Sequence, residues 1–109
     1  MYITIDNKSI EIKKANTFFK RLFGLMGKKN INYGLLFKNI NSIHTFFMKE
    51  NIDILILDND NNVILKYENF PKNKILNIKR KLKETQILEL PYNSTINIKI
   101  NDKLSFINK

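Results

Sequence analysis

The chain of 109 residues contains no cysteine. This absence excludes disulfide bonds, thiolate zinc sites and cysteine nucleophiles. A chain without cysteine suits a reducing compartment, and we expect a cytoplasmic location. The length predicts a single domain over residues 1–109, with enough chain for one core but not for a catalytic domain beside a separate binding domain.

Arginine is scarce. The chain has 19 basic residues and a formal net charge of +9, but only Arg21 and Arg80 are arginine. A basic surface attracts phosphate at long range. Recognition of phosphates and bases, however, favours the planar fork of arginine. We therefore interpret the charge as a solvated lysine surface and expect no dedicated nucleic-acid binding. The alternative is an anionic partner bound by Lys72–Lys83, the segment with the densest basic cluster.

Long hydrophobic runs are also absent. No apolar stretch approaches the roughly 20 residues that cross a bilayer as a helix. The first residues, MYITIDNKSIEI, alternate like a strand and lack the basic and continuous apolar regions of a signal peptide. We therefore expect neither a membrane span nor an export signal.

Short alternating apolar segments are what the sequence has in abundance. They predict a hairpin from Tyr2–Ile5 and Ile10–Lys13, joined by turn residues. Ile54–Leu57 is apolar at every position, which is typical of a strand covered on both faces. Further strands are predicted at residues 34–38, 63–67, 85–90, 96–100 and 104–107. The pattern predicts a mainly β fold, a compact jelly-roll-like sandwich or barrel of about eight short strands.

One N-terminal helix is predicted at residues 16–26, and it would pack against the sheet. Its apolar positions recur at three- and four-residue intervals, namely Phe18, Leu22, Leu25 and Met26. Gly27 would end it. Residues 75–83 fit either a helix or an extended segment, and Pro71 upstream favours irregular or extended chain.

The stretch Ser42–Asp58, SIHTFFMKENIDILILD, contains the only histidine of the chain. We predict two neighbouring core strands here, joined by the polar turn Lys49–Asn51. In an extended segment, alternate side chains share a face, which groups His44, Phe46 and Met48. Histidine with thioether sulfur suits Cu(I), but such a stripe is more often part of a core. We therefore expect neither a metal nor a cofactor.

Three motifs in this order resemble those of a known family. RLFGLM at residues 21–26 resembles R-x-x-G-L-M/L, the central stretch resembles IHTF-x-M-x-x-x-IDV-x-FLD, and ILELP at residues 87–91 with a later Asn-Asp resembles VLELPAG…GD. The chain is similar to the domain of unknown function 192 family over about residues 15–107. The resemblance implies a compact β fold with one helix. Asn93 and Asn101 replace family glycines, and asparagine tolerates left-handed backbone.

Because the family has no agreed reaction, the resemblance implies no catalytic residue. It singles out the positions Arg21, His44, Thr45, Met48, Asp53, Asp58 and Glu89. Among these we predict five ligand-binding residues, namely Arg21, His44, Met48, Asp53 and Glu89. The favoured function is a non-enzymatic ligand-binding or accessory domain with a site around His44, Met48 and Arg21.

Two further alternatives stay open beside the anionic partner of Lys72–Lys83. One is a small hydrolase in which His44 acts with Asp53 or Glu89 as acid and base. A Thr45–His44 pair is less favoured, because adjacent residues of a strand face opposite ways. The other alternative is purely structural, with His44 bonded to one of the two acids and Arg21 paired with one of them, since buried polar groups need partners.

Overall fold

A computed structural model describes residues 1–15, 27, 29–40, 42–78 and 85–108. The strands among them are β1 (Tyr2–Ile5), β2 (Lys8–Lys14), β3 (Tyr33–Lys38), β4 (Ser42–His44), β5 (Ile52–Leu57), β6 (Val63–Phe70), β7 (Ile75–Asn77) and β8 (Gln86–Pro91). The predicted mainly β fold of about eight short strands is confirmed, and its jelly-roll form stays a prediction. The predicted helix at residues 16–26 lies outside the described residues.

Six strands form one sheet in the order β1-β2-β3-β8-β5-β6. Only β2 and β3 are parallel neighbours, and every other pair in it is antiparallel. Strands β4 and β7 form a separate antiparallel pair. Ile43 of β4 and Leu76 of β7 share a core cluster with Ile54 and Ile87 of the large sheet, so the small sheet covers one face of the large one.

Strand β5 lies in the interior and is buried at every position. Ile54 and Ile56 belong to the cluster under the small sheet, whereas Leu55 and Leu57 belong to a second cluster on the opposite face. The predicted burial of both faces is therefore confirmed. Burial of each such side chain contributes about 1.5–3 kcal/mol, which makes β5 the main hydrophobic support of the fold.

Asparagine occupies most of the left-handed backbone positions among the described residues. Ten described non-glycine residues have a positive φ angle, and eight of them are asparagine. The predicted hairpin β1–β2 turns through Asp6 and Asn7, with φ angles of +50° and +63°. Two left-handed residues match the right-handed twist of the flanking strands. The tolerance predicted for Asn93 and Asn101 is also confirmed, with φ angles of +68° and +79°.

Two predicted strands near the end of the chain are wrong. Residues 96–100 form turns instead of a strand, because the Lys66 ammonium donates hydrogen bonds to the carbonyl oxygens of Thr95 and Ile98 at 2.6 and 2.7 Å. The segment 104–107 forms no strand: Ile107 makes an isolated bridge to Tyr2, and the Leu104 amide donates to the Asn61 carbonyl at 2.9 Å. The prediction that the two strands of Ser42–Asp58 are neighbours in one sheet is wrong as well. Strand β4 pairs with β7, whereas β5 pairs with β6 and β8.

Gly34 in β3 is required by close packing, and Gly34→Ala should destabilise the fold by about 2–3 kcal/mol. A β carbon there would lie 2.8 Å from the backbone oxygen of Glu89 and 2.7 Å from Cδ1 of Ile12. The backbone oxygen cannot retreat without disturbing the β3–β8 pairing. Thermal unfolding should show a melting temperature lower by roughly 8–20 °C.

Gly27→Ala is the matched control for this substitution. Nothing lies within 4 Å of a β carbon at Gly27, although its φ of +71° disfavours alanine. Its cost should be about 1 kcal/mol. An equal or larger loss for Gly27→Ala than for Gly34→Ala would contradict the packing argument.

Candidate functional site

The candidate site begins where β4 ends and the chain turns through residues 44–48, which we call the aromatic loop. Thr45 organises it and is buried. Its hydroxyl donates to the carbonyl oxygen of Pro71 at 2.7 Å and accepts the amide of Lys74 at 3.0 Å. Its own amide donates to the Lys74 carbonyl at 2.8 Å, and its carbonyl accepts the Asn73 amide at 2.9 Å. These bonds fix the aromatic loop to the segment that precedes β7.

The extended conformation predicted for residues 44–48 is wrong. The Met48 amide donates back to the Thr45 carbonyl at 3.3 Å, so the chain reverses. Phe46 is 38% exposed while Met48 is buried, and the predicted common face of His44, Phe46 and Met48 does not exist. Side chains alternate between two faces only where a strand continues, and the hydrogen bonds of Thr45 to residues 71–74 end the strand at His44.

Phe47 lies at the tip of the aromatic loop with a φ angle of +61°. A bulky side chain is an outlier in this left-handed region, where the other described non-glycine residues are asparagine or, once, Asp6. The ring is 74% exposed, so packing within the protein does not explain the choice. The backbone is nevertheless fixed, because the Phe47 amide donates to Oδ1 of Asn73 at 3.1 Å and its carbonyl accepts the Gly27 amide at 3.0 Å.

His44 is half-buried and lies on the outer side of the small sheet. In its β4–β7 register, Ile43 is buried against the large sheet, so His44 and its partner Ile75 face away from it. The His44 ring stacks on Phe46 with 5.2 Å between ring centroids, and Nδ1 accepts the Phe46 amide at 3.3 Å. In a neutral ring, the proton is therefore on Nε2.

Met48 packs in the core cluster beneath the small sheet, together with Ile43 and Leu76. It therefore lies on the inner side of this sheet, whereas His44 lies on the outer side. Within the described ranges, no group of three or more histidine, cysteine or acidic side chains is arranged to hold a metal ion. The structure thus does not bring the predicted His44 and Met48 together.

Asp53 of β5 is buried and ties two distant segments together. Its Oδ2 accepts the Thr95 amide at 3.0 Å and the Thr95 hydroxyl at 2.6 Å, and its Oδ1 accepts the Asn69 amide at 2.9 Å. In the β5–β8 register Asp53 lies opposite Leu90. Because Leu90 belongs to the second core cluster, Asp53 lies on the face of the large sheet away from β4 and β7.

Glu89 of β8 is also buried, but on the other face. It lies between Leu35 of β3 and Ile54 of β5 in the register of the sheet. Burial raises the pKa of the Glu89 carboxyl to about 8, because the low-dielectric interior disfavours the charged form. No other described residue forms a hydrogen bond or ion pair with this carboxyl.

The five predicted site residues therefore do not converge as far as the structure describes them. Asp53 and Glu89 lie on opposite faces of the large sheet, and His44 lies on the outer face of the small one. Arg21 lies outside the described residues, and so does the basic cluster at residues 79–84. What the structure does bring together is His44, Phe46 and Phe47 in one loop.

Sequence reasoning missed two features of this loop. The hub role of Thr45 depends on residues 71–74, which are far along the chain and carry no local signal. The left-handed conformation of Phe47 was also missed, because aromatic residues do not ordinarily occupy it. A hint was present in the adjacent phenylalanines, which are apolar residues within a turn.

The fold and this loop define a small all-β protein with a rigid, aromatic surface loop and no assembled acid–base pair among the described residues. A family model matches residues 1–106, and the chain belongs to that family, domain of unknown function 192, described as "Uncharacterized ACR". The resemblance inferred from the three motifs is therefore confirmed.

The chain is similar to UPF0127 proteins of two archaea. It is 46% identical over 59 residues to that of Thermococcus sibiricus, which covers 49% of this chain and 38% of the relative. It is 45% identical over 60 residues to that of Pyrococcus horikoshii, which covers 50% and 51%. The match thus spans about half or less of these curated relatives.

A crystal structure of a protein of unknown function from Novosphingobium aromaticivorans is similar in fold. The TM-score is 0.76 at 17% sequence identity, with 96% of this chain and 82% of that chain covered. At this identity the likeness supports the fold alone.

Proposed function

We propose that this protein is a non-enzymatic binding domain whose contact surface is the aromatic loop. One observation carries the proposal: Phe47 is 74% exposed in a strained backbone conformation. Strain of this kind costs about 1–3 kcal/mol and occurs mainly at functional sites. An exposed ring that does not pack against the protein does not stabilise the fold. Contact with a partner would explain why phenylalanine occupies this position.

The rigidity of the loop supports the same proposal. Thr45, Asn73 and Gly27 fix the backbone on both sides of Phe47 through hydrogen bonds. A contact loop that is already ordered loses less conformational entropy on binding. His44 extends this surface, because its ring stacks on Phe46.

The hydrolase alternative has less support. The hydroxyl of Thr45 is already engaged with Pro71 and Lys74, and the Asp53 carboxylate already accepts three hydrogen bonds. A nucleophile needs an adjacent base, and a base needs an oriented partner. His44 lies on the outer face of the small sheet, so it shares a face with neither Asp53 nor Glu89.

Other parts of the sequence-based account stay proposals. We propose that the 109 residues act as one folding unit in the cytoplasm. The ligand-binding role stays a prediction for Arg21, Met48, Asp53 and Glu89. The described residues contain no helix that is long and apolar enough to cross a membrane.

Phe47→Asn should stabilise the protein by about 1 kcal/mol, because asparagine tolerates the left-handed backbone that phenylalanine does not. The melting temperature should rise by roughly 4–8 °C in thermal unfolding. The backbone hydrogen bonds of Phe47 are kept in this variant. A residue needed for folding would behave in the opposite way.

Asn101→Phe is the mirror-image control. Asn101 is also exposed and left-handed, with a φ angle of +79°. This variant should lose about the stability that Phe47→Asn gains. If Phe47→Asn lowers the melting temperature instead, the ring of Phe47 serves the fold and the proposed contact surface is lost.

A further inference from the structure

Three apolar side chains are exposed at or beside the aromatic loop. Phe46 is 38% exposed, Phe47 74% and Ile75 55%. Ile75 is the β-pairing partner of His44, and Phe46 stacks on the His44 ring, so the apolar residues lie on both sides of His44. We call this set of three side chains the apolar tip.

The apolar tip has a basic rim. Lys72 and Lys74 lie in the segment that is hydrogen-bonded to Thr45, and Lys49 follows the aromatic loop directly; all three lysines are exposed. The one acidic residue of these two segments is Glu50, and its carboxylate accepts the Ile31 amide at 3.0 Å. The rim therefore carries net positive charge.

The backbone amides of the aromatic loop are already paired. The Phe46 amide donates to Nδ1 of His44, the Phe47 amide to Oδ1 of Asn73, and the Met48 amide to the Thr45 carbonyl. The Phe47 carbonyl accepts an amide as well. An unpaired backbone group costs several kcal/mol in a lipid environment. The rings of Phe46 and Phe47 can therefore leave water without taking unpaired amide groups with them.

We propose that the apolar tip and its basic rim dock on an anionic membrane surface, with the rings of Phe46 and Phe47 at the boundary between headgroups and acyl chains. This inference rests on the proposed function, for which it names the partner. Apolar side chains combined with lysines are the pattern of interfacial membrane binding. Lysines near such a surface attract the anionic lipids of the cytoplasmic leaflet.

A single-stranded nucleic acid fits the same surface less well. Base stacking needs rings with an open face, and only the Phe47 ring is widely exposed, because one face of Phe46 is covered by His44. The rim contains lysine and no arginine among its described residues, and the tip includes the aliphatic side chain of Ile75. These features suit a lipid boundary better than a base.

The first test is binding to vesicles of phosphatidylcholine with 30% phosphatidylglycerol, with pure phosphatidylcholine vesicles as the reference. We expect salt-sensitive co-sedimentation with the anionic vesicles only. Lys72→Gln with Lys74→Gln should weaken it about 25-fold, which is roughly fivefold for each lysine. The control pair, Lys8→Gln with Lys99→Gln, should change it less than a few-fold.

Insertion has its own measurement, because the chain contains no tryptophan. In a Phe47→Trp variant, the fluorescence should shift to the blue on anionic vesicles and be quenched by brominated acyl chains. Phe47→Asn should reduce binding at least tenfold. An unshifted spectrum, or full binding by Phe47→Asn, would overturn the insertion of the tip.

The outcomes separate this inference from the proposed function. Absent vesicle binding with a stabilised Phe47→Asn variant would overturn the membrane partner and leave the contact surface standing. Binding to a single-stranded oligonucleotide without vesicle binding, lost in Phe47→Asn, would do the same. A destabilised Phe47→Asn variant would remove both.

Discussion

Glu89→Gln is expected to stabilise the protein by about 3 kcal/mol at pH 7 and by little at pH 4. The pKa of this carboxyl is raised from 4.5 to about 8 by burial. Between pH 4.5 and about pH 8 the Glu89 carboxyl is protonated in the folded state and ionised in the unfolded state. Stability therefore falls as pH rises, by about 1.4 kcal/mol per pH unit and about 5 kcal/mol in total. Glutamine keeps the shape and cannot ionise.

The measurement is the free energy of unfolding in urea for wild type and variant at pH 4.5, 6, 7 and 8.5. Glu11→Gln is the matched control, because Glu11 is exposed on β2. It should leave the pH dependence of wild type unchanged. The account of Glu89 would be wrong if Glu89→Gln kept the same fall in stability with pH, or if it cost equal stability at every pH.

Asp53→Ala is the second large expected effect, a loss of about 3–5 kcal/mol at neutral pH. The substitution removes the acceptor for the amide and hydroxyl of Thr95, which is fully buried, and for the amide of Asn69. Each buried donor left without a partner costs about 1–3 kcal/mol. A loss of this size is a large fraction of the stability of a small protein.

Asp102→Ala provides the comparison. Asp102 is exposed and its Oδ2 accepts the Lys99 amide at 2.8 Å, so its loss should cost only about 1 kcal/mol. Urea unfolding followed by circular dichroism gives both values. If the two variants differ by less than about 1 kcal/mol, the contacts of Asp53 do not hold the segment around Thr95 in the way described.

The sequence predicted most strands because their signals are local. Ile54–Leu57 is apolar throughout, and the hairpin between β1 and β2 has its own turn residues. Residues 96–100 alternate between apolar and polar side chains as a strand does, yet they form turns, because the ammonium group of Lys66, about 30 residues away, donates to the carbonyl oxygens of Ile96 and Ile98. In this segment Ile98 is buried but Ile96 and Ile100 are exposed, so the alternation predicted neither the burial of these side chains nor the pairing of the backbone.

The candidate site was harder to predict for a related reason. Family motifs identified His44, Asp53 and Glu89, but the motif order carries no information about the face of the sheet on which each residue lies. The register places the two acids on opposite faces. The conformation of Phe47 depends on Thr45, whose partners lie in another loop. Contacts between distant segments therefore decide the site, and sequence periodicity does not report them.

The central claim is that Phe47 is kept for contact at a cost in stability. The most direct measurement is the urea unfolding free energy of wild type, Phe47→Asn and Phe47→Ala, side by side. Alanine removes the exposed ring without relieving the left-handed backbone, whereas asparagine does both. The account predicts that Phe47→Asn is more stable than wild type and than Phe47→Ala by about 1 kcal/mol. If both variants are less stable than wild type, the ring supports the fold and the claim is contradicted.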